Sequence, residues 1–237
     1  EVITYEVAYN WGMVWVNAGE VFFKADTIGF QGSNCYYFES RGKSHDFYNW
    51  FFKVDDRYQS WCDYKSIKPI AFRRNTSEGG YWVDNSYTFE PGDRVFSSVL
   101  HKDKSLRLDT LQAKPCTFDV LSAIYHVRGI DFSDVQKDEG FPVNFIIDGE
   151  LFTLSLVYLG KEDMKSRYGE SYLCDKFSVK LVEGTIFKED EELFVWLIDD
   201  ENRIPLMVEA KVMVGSIKAY LIGHKGLKYD FPESLDE

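Results

Sequence analysis

Positive charge is scarce in this chain. Asp and Glu number 39 against 27 Lys and Arg, which leaves a net charge of −12 over 237 residues. A surface this acidic repels phosphate backbones and anionic headgroups. No stripe gathers Lys and Arg to offset it, so nucleic acid is excluded as a partner. No apolar run reaches the roughly 18 residues that a membrane-spanning helix requires. The four cysteines, Cys35, Cys62, Cys116 and Cys174, are far apart with no C-x-x-C, so metal-site spacing is missing. Their spacing allows more than one disulfide pairing, and equally allows free thiols that act as small buried hydrophobes. His45, His101, His126 and His224 are isolated. The Gly-x-Ser-x-Gly elbow, the P-loop and the dinucleotide fingerprint are all missing. Nothing pairs a nucleophile with a base. The expectation is a protein that is not an enzyme, with no cofactor and no metal. With 6 Pro and 17 Gly, the chain is not low-complexity either.

Apolar and aromatic residues are plentiful: 45% of the chain is hydrophobic, and 17% is Phe, Trp or Tyr. Aromatic and β-branched residues suit a half-buried pleated surface. Residues 1–11 alternate, with Ile3, Tyr5, Val7, Tyr9 and Trp11 on one face. Further strands are predicted over Ser33–Ser40, Tyr81–Phe89, Val95–Leu108, Tyr172–Leu181, Leu206–Val214 and Ile217–Ile222. Asp148-Gly149 joins Val143–Ile147 to Glu150–Tyr158 as a two-residue hairpin turn. Ser44 is a candidate cap for a short helix over 45–51. The acidic run Glu189-Asp190-Glu191-Glu192 lacks the spaced ligands and glycine of a calcium loop and reads as a solvated turn. The tail from Tyr229 is acidic and expected to fray. The chain opens directly on a strand pattern, which fits a cytosolic protein or an exported one after leader removal.

One helix stands out, over 117–128, with Thr117 as candidate N-cap and Gly129 as its stop. Val120, Leu121, Ile124, Tyr125 and Val127 follow helical spacing, and Asp119, Ser122 and His126 form a narrow polar stripe. The expectation is a largely buried helix whose polar stripe lies nearest solvent or a cavity. Asp119 and Arg128 suit the helix dipole. In the sharper reading, Arg128 reaches an anionic ligand group.

A pattern recurs. Phe52 precedes Trp61 by nine positions, as Phe187 precedes Trp196, and Asp63 precedes Pro69 by six, as Asp199 precedes Pro205. Gly19-Glu20-Val21-Phe22 echoes Gly149-Glu150-Leu151-Phe152, and Cys35 with Phe38 echoes Cys174 with Phe177. A fixed order of echoes is the signature of internal duplication. Residues that recur are read first as architecture: Asp63 and Asp199 as acceptors of turn amides, Trp61 and Trp196 as aromatics on a sheet face in the core.

Several stretches resemble the bacterial DUF3108 family, a domain of unknown function. They are Leu159-Gly160-Lys161-Glu162, Tyr168-Gly169, the run from Trp196 to Pro205, Val214-Gly215-Ser216-Ile217, and the helix from Phe118 to Arg128. The resemblance implies an exported protein of the periplasm or cell envelope, its signal peptide removed. It also implies an antiparallel β fold like the half-barrels of periplasmic lipoprotein carriers. The family has no assigned reaction, so no catalytic residue is carried over.

The fold expected is mainly β, with antiparallel meanders forming two duplicated half-barrel-like sheets and a central buried helix. Its segments are 1–112 (first meander), 113–130 (helix), 131–228 (second meander) and 229–237 (tail). Two functions fit. One is a non-catalytic module that binds or carries a lipid-like, apolar or amphipathic small molecule, with Tyr125, His126, Arg128, Trp61 and Trp196 as ligand-binding candidates. The other is a structural or interaction domain that binds an envelope protein and keeps a sealed aromatic core. The sequence leaves the oligomeric state open.

Overall fold

The computed structural model describes residues 1–11, 14–48, 53–183, 193–211 and 215–236. Phe52, Phe187 and the acidic run 189–192 lie outside the described residues. In chain order the strands are β1 (Val2–Trp11), β2 (Val14–Phe30), β3 (Ser33–Ser44), β4 (Val54–Asp63), β5 (Pro69–Glu78), β6 (Tyr81–Glu90), β7 (Arg94–His101) and β8 (Arg107–Gln112). There follow β9 (Thr117–Phe118), the helix α1 (Val120–Arg128), β10 (Gly140–Ile147), β11 (Glu150–Lys165) and β12 (Ser171–Glu183). The series ends with β13 (Leu193–Ile198), β14 (Pro205–Lys211) and β15 (Ser216–Lys225). The ladder order is β8-β7-β6-β5-β4-β3-β2-β1-β15-β14-β13-β12-β11-β10-β9, one mainly antiparallel sheet. The short β9–β10 pairing is parallel.

Contacts cluster into two units. One holds Glu20–Val127 with Val143–Phe152; the other holds Glu1–Gly19, Arg128–Pro142 and Thr153–Glu237. The boundaries drawn from the sequence follow the chain, whereas these units gather separated segments.

In the unit built on Glu20–Val127, β3 to β8 run as an unbroken antiparallel meander. Its inner face is set by period-two alternation: Phe72, Val83, Tyr87, Val95 and Val99 are all buried. Phe72 lies opposite Tyr87 and stacks on it at 5.4 Å. What reads as one strand over Val95–Leu108 is two, β7 and β8, because residues 102–106 turn. Asp148 and Gly149 have φ of 52° and 73°, the left-handed pair that a tight hairpin between β10 and β11 demands.

Helix α1 begins later than Thr117, which belongs to β9. Its cap is Asp119, whose Oδ1 accepts the amides of Leu121 (2.9 Å) and Ser122 (3.0 Å), while Ser122 Oγ accepts the amide of Asp119 (3.0 Å). This is a reciprocal capping box. Asp119 and Ser122, expected nearest solvent or a cavity, are wholly buried, and of that stripe His126 alone is partly exposed. The physical reason is that both side chains are satisfied: by the helix start, and by Ser60 Oγ, which donates to Asp119 Oδ2 at 2.6 Å. Leu121 and Tyr125 pack with Phe38 and Cys62 in one buried cluster. Among the described residues after Ser44, the expected helix is a single 3-10 turn, Asp46–Tyr48. Ser44 Oγ accepts the amide of Val54 at 2.9 Å.

In the other unit, β11 to β15 form a second antiparallel meander, with β1 beside β15. Phe177, Ile198, Ile204 and Leu206 are fully buried, and Phe177 meets Phe132 at 4.7 Å and Tyr158 at 5.3 Å. The expected frayed tail is docked. Asn202 Nδ2 donates to the carbonyls of Tyr229 and Asp230, its Oδ1 accepts the Tyr229 amide, and Phe231 stacks on His224 at 4.2 Å. One buried amide that bridges three backbone groups outweighs the acidic composition of the segment.

The two meanders share local geometry. Trp61 lies opposite Tyr37 in β3 and Ala71 in β5, with a bulge before the Cys62–Pro69 pair. Trp196 lies opposite Lys176 in β12 and Met207 in β14, with a bulge before the Leu197–Pro205 pair. Tyr37 and Lys176 each stand two residues after a buried cysteine, Cys35 and Cys174. The Asp63 amide donates to the Lys68 carbonyl, and that of Ile198 to the Ile204 carbonyl. Asp63 is the amide acceptor expected of it, taking the amides of Lys65 and Ser66. Asp199 is not: it pairs with Lys161, and its neighbour Asp200 accepts the Arg203 amide at 2.7 Å. The capping acid thus stands at the amide that closes the first turn and two residues beyond it in the second, longer turn.

Candidate functional site

The five residues singled out from the sequence fall in different places. Tyr125 is buried flat against Phe38, with ring centroids 3.9 Å apart. His126 stacks on Phe118 at 4.4 Å, and burial holds its imidazole below the ordinary pKa. Trp61 is half-buried, stacks on Phe30 at 5.5 Å and meets the Tyr37 ring at a tilt, 5.4 Å away. Ser60 and Cys62 point toward α1, so alternation along β4 puts Trp61 on the opposite face from Tyr125. One pocket cannot use both. These residues belong to the unit built on Glu20–Val127. Arg128 and Trp196 belong to the other. The Arg128 guanidinium makes a two-pronged pair with the Glu1 carboxylate (2.7 and 2.8 Å) and donates to the Asn202 carbonyl (3.0 Å). Its fork is occupied by the protein itself. Trp196 is buried, donates to Glu162 at 3.4 Å and lies under the Lys176 ammonium at 4.9 Å.

A different group of residues makes a polar site. The register of the β4–β8 meander aligns Tyr58, Arg74, Asn85, Val99 and Arg107 in one row across five strands. The adjacent row carries Phe72, Tyr87, Ser97 and Asp109. Arg74, Asn85 and Ser97 are buried, in phase with the apolar residues of their strands. The hairpin turn at Asp148 meets this face. Asp148 Oδ1 accepts from Arg74 Nη1 at 2.8 Å, and its carbonyl accepts from Arg107 Nη2 at 2.7 Å. The Gly149 amide donates to the Tyr87 hydroxyl at 2.9 Å. Arg74 Nε donates to Thr76, and its guanidinium lies 5.5 Å from the Tyr58 ring centroid. A Cβ on Gly149 would stand 2.3 Å from Arg107 and 3.1 Å from Ser97 Oγ, so the turn is pressed onto the row.

This cluster is incompletely satisfied. Asn85 Nδ2 donates to Tyr87 at 2.6 Å, while Asn85 Oδ1 and Ser97 Oγ are buried with no protein partner among the described residues. Turning the amide over would let Tyr87 donate to Oδ1 and would leave Nδ2 in the unpartnered position. Each buried group of this kind costs about 1–3 kcal/mol unless something meets it.

Beside the row, Asp56 accepts the Ser77 amide at 3.0 Å. Burial, and then the carboxyl of Glu78, raise its pKa to about 7; the Ser77 amide and Arg74 pull the other way. In the other unit, Tyr158 donates to the buried Asp175 at 3.0 Å, and burial raises the Asp175 carboxyl. Among the described residues no group of three or more His, Cys, Asp or Glu is placed to hold a metal ion. The four thiols are free, and all but Cys116 are buried. On the outer face of β6–β8 an open groove of about 310 Å³ is lined by Ser86, Thr88, Phe96, Ser98, Leu108 and Thr110, among others.

Hydrogen-bonded strands in one mainly antiparallel sheet, with one α-helix among the described residues inserted in the chain order, define a β-sheet domain of a recurring architecture. The chain belongs to the DUF3108 family, "Protein of unknown function (DUF3108)", whose model matches residues 4–222. It is similar in fold to a crystal structure from Brucella abortus described as a beta-barrel-like protein of domain of unknown function DUF1849. The TM-score is 0.57 at 10% identity, covering 93% of this chain and 94% of that one. No curated protein matches the sequence. No helix among the described residues is long and apolar enough to cross a membrane.

Proposed function

We propose that this chain is a non-catalytic module of the cell envelope, exported to the periplasm, that holds an amphipathic small molecule by its polar end at the Arg74–Asn85–Asp148 row. One observation carries the reading: Asn85 and Ser97 each present a buried polar atom without a protein partner among the described residues, beside a buried guanidinium. An oxygen-rich head group supplies what both lack. Export rests on the family resemblance alone. Native mass spectrometry of protein purified from its own host tests the reading. A retained small molecule is expected in the wild type and is lost in Asn85→Leu with Ser97→Ala at unchanged melting temperature. A bare wild-type mass, with the double variant more stable than the wild type, overturns it.

The same reading takes the two meanders as copies of one ancestral half-barrel. Its support is the shared register and bulge at Trp61 and Trp196. Residues 19–82 and 149–217 of an experimental structure should then superpose, Trp61 on Trp196 and Pro69 on Pro205. Opposite strand connectivity in the two segments would sink it.

A further inference from the structure

Strand β8 ends the ladder, and no strand pairs with its outer edge among the described residues. Five of its six residues are exposed. Such an edge is a template for another strand unless charge or covering blocks it. Leu108 is 69% exposed and Phe96 42% exposed on the outer face, and Leu106, just before the strand, is 53% exposed. Arg107 and Asp109 project to the opposite face, in phase with Val99 and Ser97. They flank Leu108 with opposite signs and pair with each other at 3.0 Å.

Centred on Leu108, the order Arg107-Leu108-Asp109 is complementary to its own reverse. We infer that the edge of β8 is a self-recognition surface: it pairs antiparallel with β8 of a second copy about a two-fold axis at Leu108. In that register Leu108 faces Leu108 on the outer face. Arg107 faces the second copy's Asp109 on the inner face, and Asp109 faces its Arg107. Leu106 faces Thr110, which extends the apolar groove of Phe96 and Leu108 across the axis. A two-fold interface uses the same patch twice, so each complementary contact occurs in duplicate. Opposite charges directly across an antiparallel pair stabilise it, and like charges oppose it. The charges that would turn away an unrelated strand are therefore satisfied by a second copy in this one register. Slipping it by two residues in either direction brings Arg107 opposite Arg107, or Asp109 opposite Asp109. The net charge of −12 works against any association of copies; salt screening relieves that repulsion and also weakens the Arg107–Asp109 pairs across the axis.

Sedimentation equilibrium at moderate ionic strength tests this. The wild type should be a concentration-dependent dimer. Arg107→Glu and Asp109→Lys should each dimerise at least about tenfold more weakly, because each sets like charges opposite one another at two places. Mixing the two variants should restore a heterodimer. The introduced carboxylate of one then meets the introduced ammonium of the other, and the native Asp109 and Arg107 that remain meet each other. Should Arg107→Glu fail to fold, Leu108→Lys sets two ammonium groups against each other on the axis and should be monomeric. A monomeric wild type, single variants that dimerise as well as the wild type, or a mixture of folded variants that forms no heterodimer would each overturn the proposal.

Discussion

Ser60 on β4 gives its hydroxyl to Asp119, and that 2.6 Å bond ties the start of the only described α-helix to a strand 59 residues earlier. The same carboxylate caps the helix through Leu121 and Ser122. Replacing Asp119 with Ala removes the cap and strands a buried hydroxyl, at an expected cost of about 2–4 kcal/mol. Asp119→Asn keeps an acceptor and should cost less than half as much. Urea denaturation of both variants checks the order; equal losses would mean that the cap contributes little.

Leu121 is 1% exposed in the cluster with Phe38 and Cys62. Leu121→Ala should cost about 2–5 kcal/mol through the cavity it leaves. A loss below about 1 kcal/mol, measured by the same denaturation, would show that the site collapses freely around the truncation.

Stability should fall as pH rises toward neutral. Burial raises Asp119 to about 6, against the pull of its hydrogen bonds, and raises Asp56 to about 7. A carboxyl whose folded pKa exceeds its unfolded value of about 3.9 contributes stability that is full below that value. The contribution is lost as pH climbs through the folded pKa. Asp56→Asn mimics the protonated form and should flatten the slope between about pH 5 and 8. At about pH 8 it should be more stable than the wild type by on the order of 2 kcal/mol. An unchanged slope in Asp56→Asn would show that the folded pKa is not raised.

Gly80 and Gly215 both have left-handed φ, +96° and +89°. A Cβ at Gly80 meets nothing within 4 Å, whereas one at Gly215 would stand 2.2 Å from the Asn10 carbonyl oxygen. Gly80→Ala should therefore cost about 1–2 kcal/mol, the left-handed penalty alone. Gly215→Ala should cost more, because fixed backbone cannot move aside. Equal costs in thermal unfolding would mean that the β1 end yields.

Much of the β pattern was legible because it is local: alternation, the Asp148-Gly149 turn, and the recurring Trp and Pro spacing. Trp61 and Trp196 take matching register positions on their strands, but Trp196 is buried and Trp61 only half-buried, so the core place expected of both holds for one. Their acids were not equivalent, because Asp199 and Asp200 differ by one step that only turn geometry resolves. Asp119 and Ser122 looked like a solvent stripe because sequence gives their polarity, not their partners. Arg74, Asn85 and Ser97 are hidden for a related reason: in an antiparallel strand a polar residue reads as outward-facing. The signal available was phase. Asn85 is in step with Tyr87, and Ser97 with Val95 and Val99. Composition misleads for the tail, since Asn202, its anchor, lies 27 residues from Tyr229 in sequence.

The polar row also bears on how the meander finds its alignment as it folds. A purely apolar face would accept a strand displaced by two residues, since every side chain would stay on its own side. Here such a displacement sets Arg74 opposite Val83 or Tyr87 in place of Asn85. It also carries the guanidinium away from the Asp148 carboxylate that neutralises it. The row thus penalises the slipped pairings that hydrophobic collapse alone would leave nearly equal in energy, and it discourages kinetic trapping in a chain dominated by strand pairing.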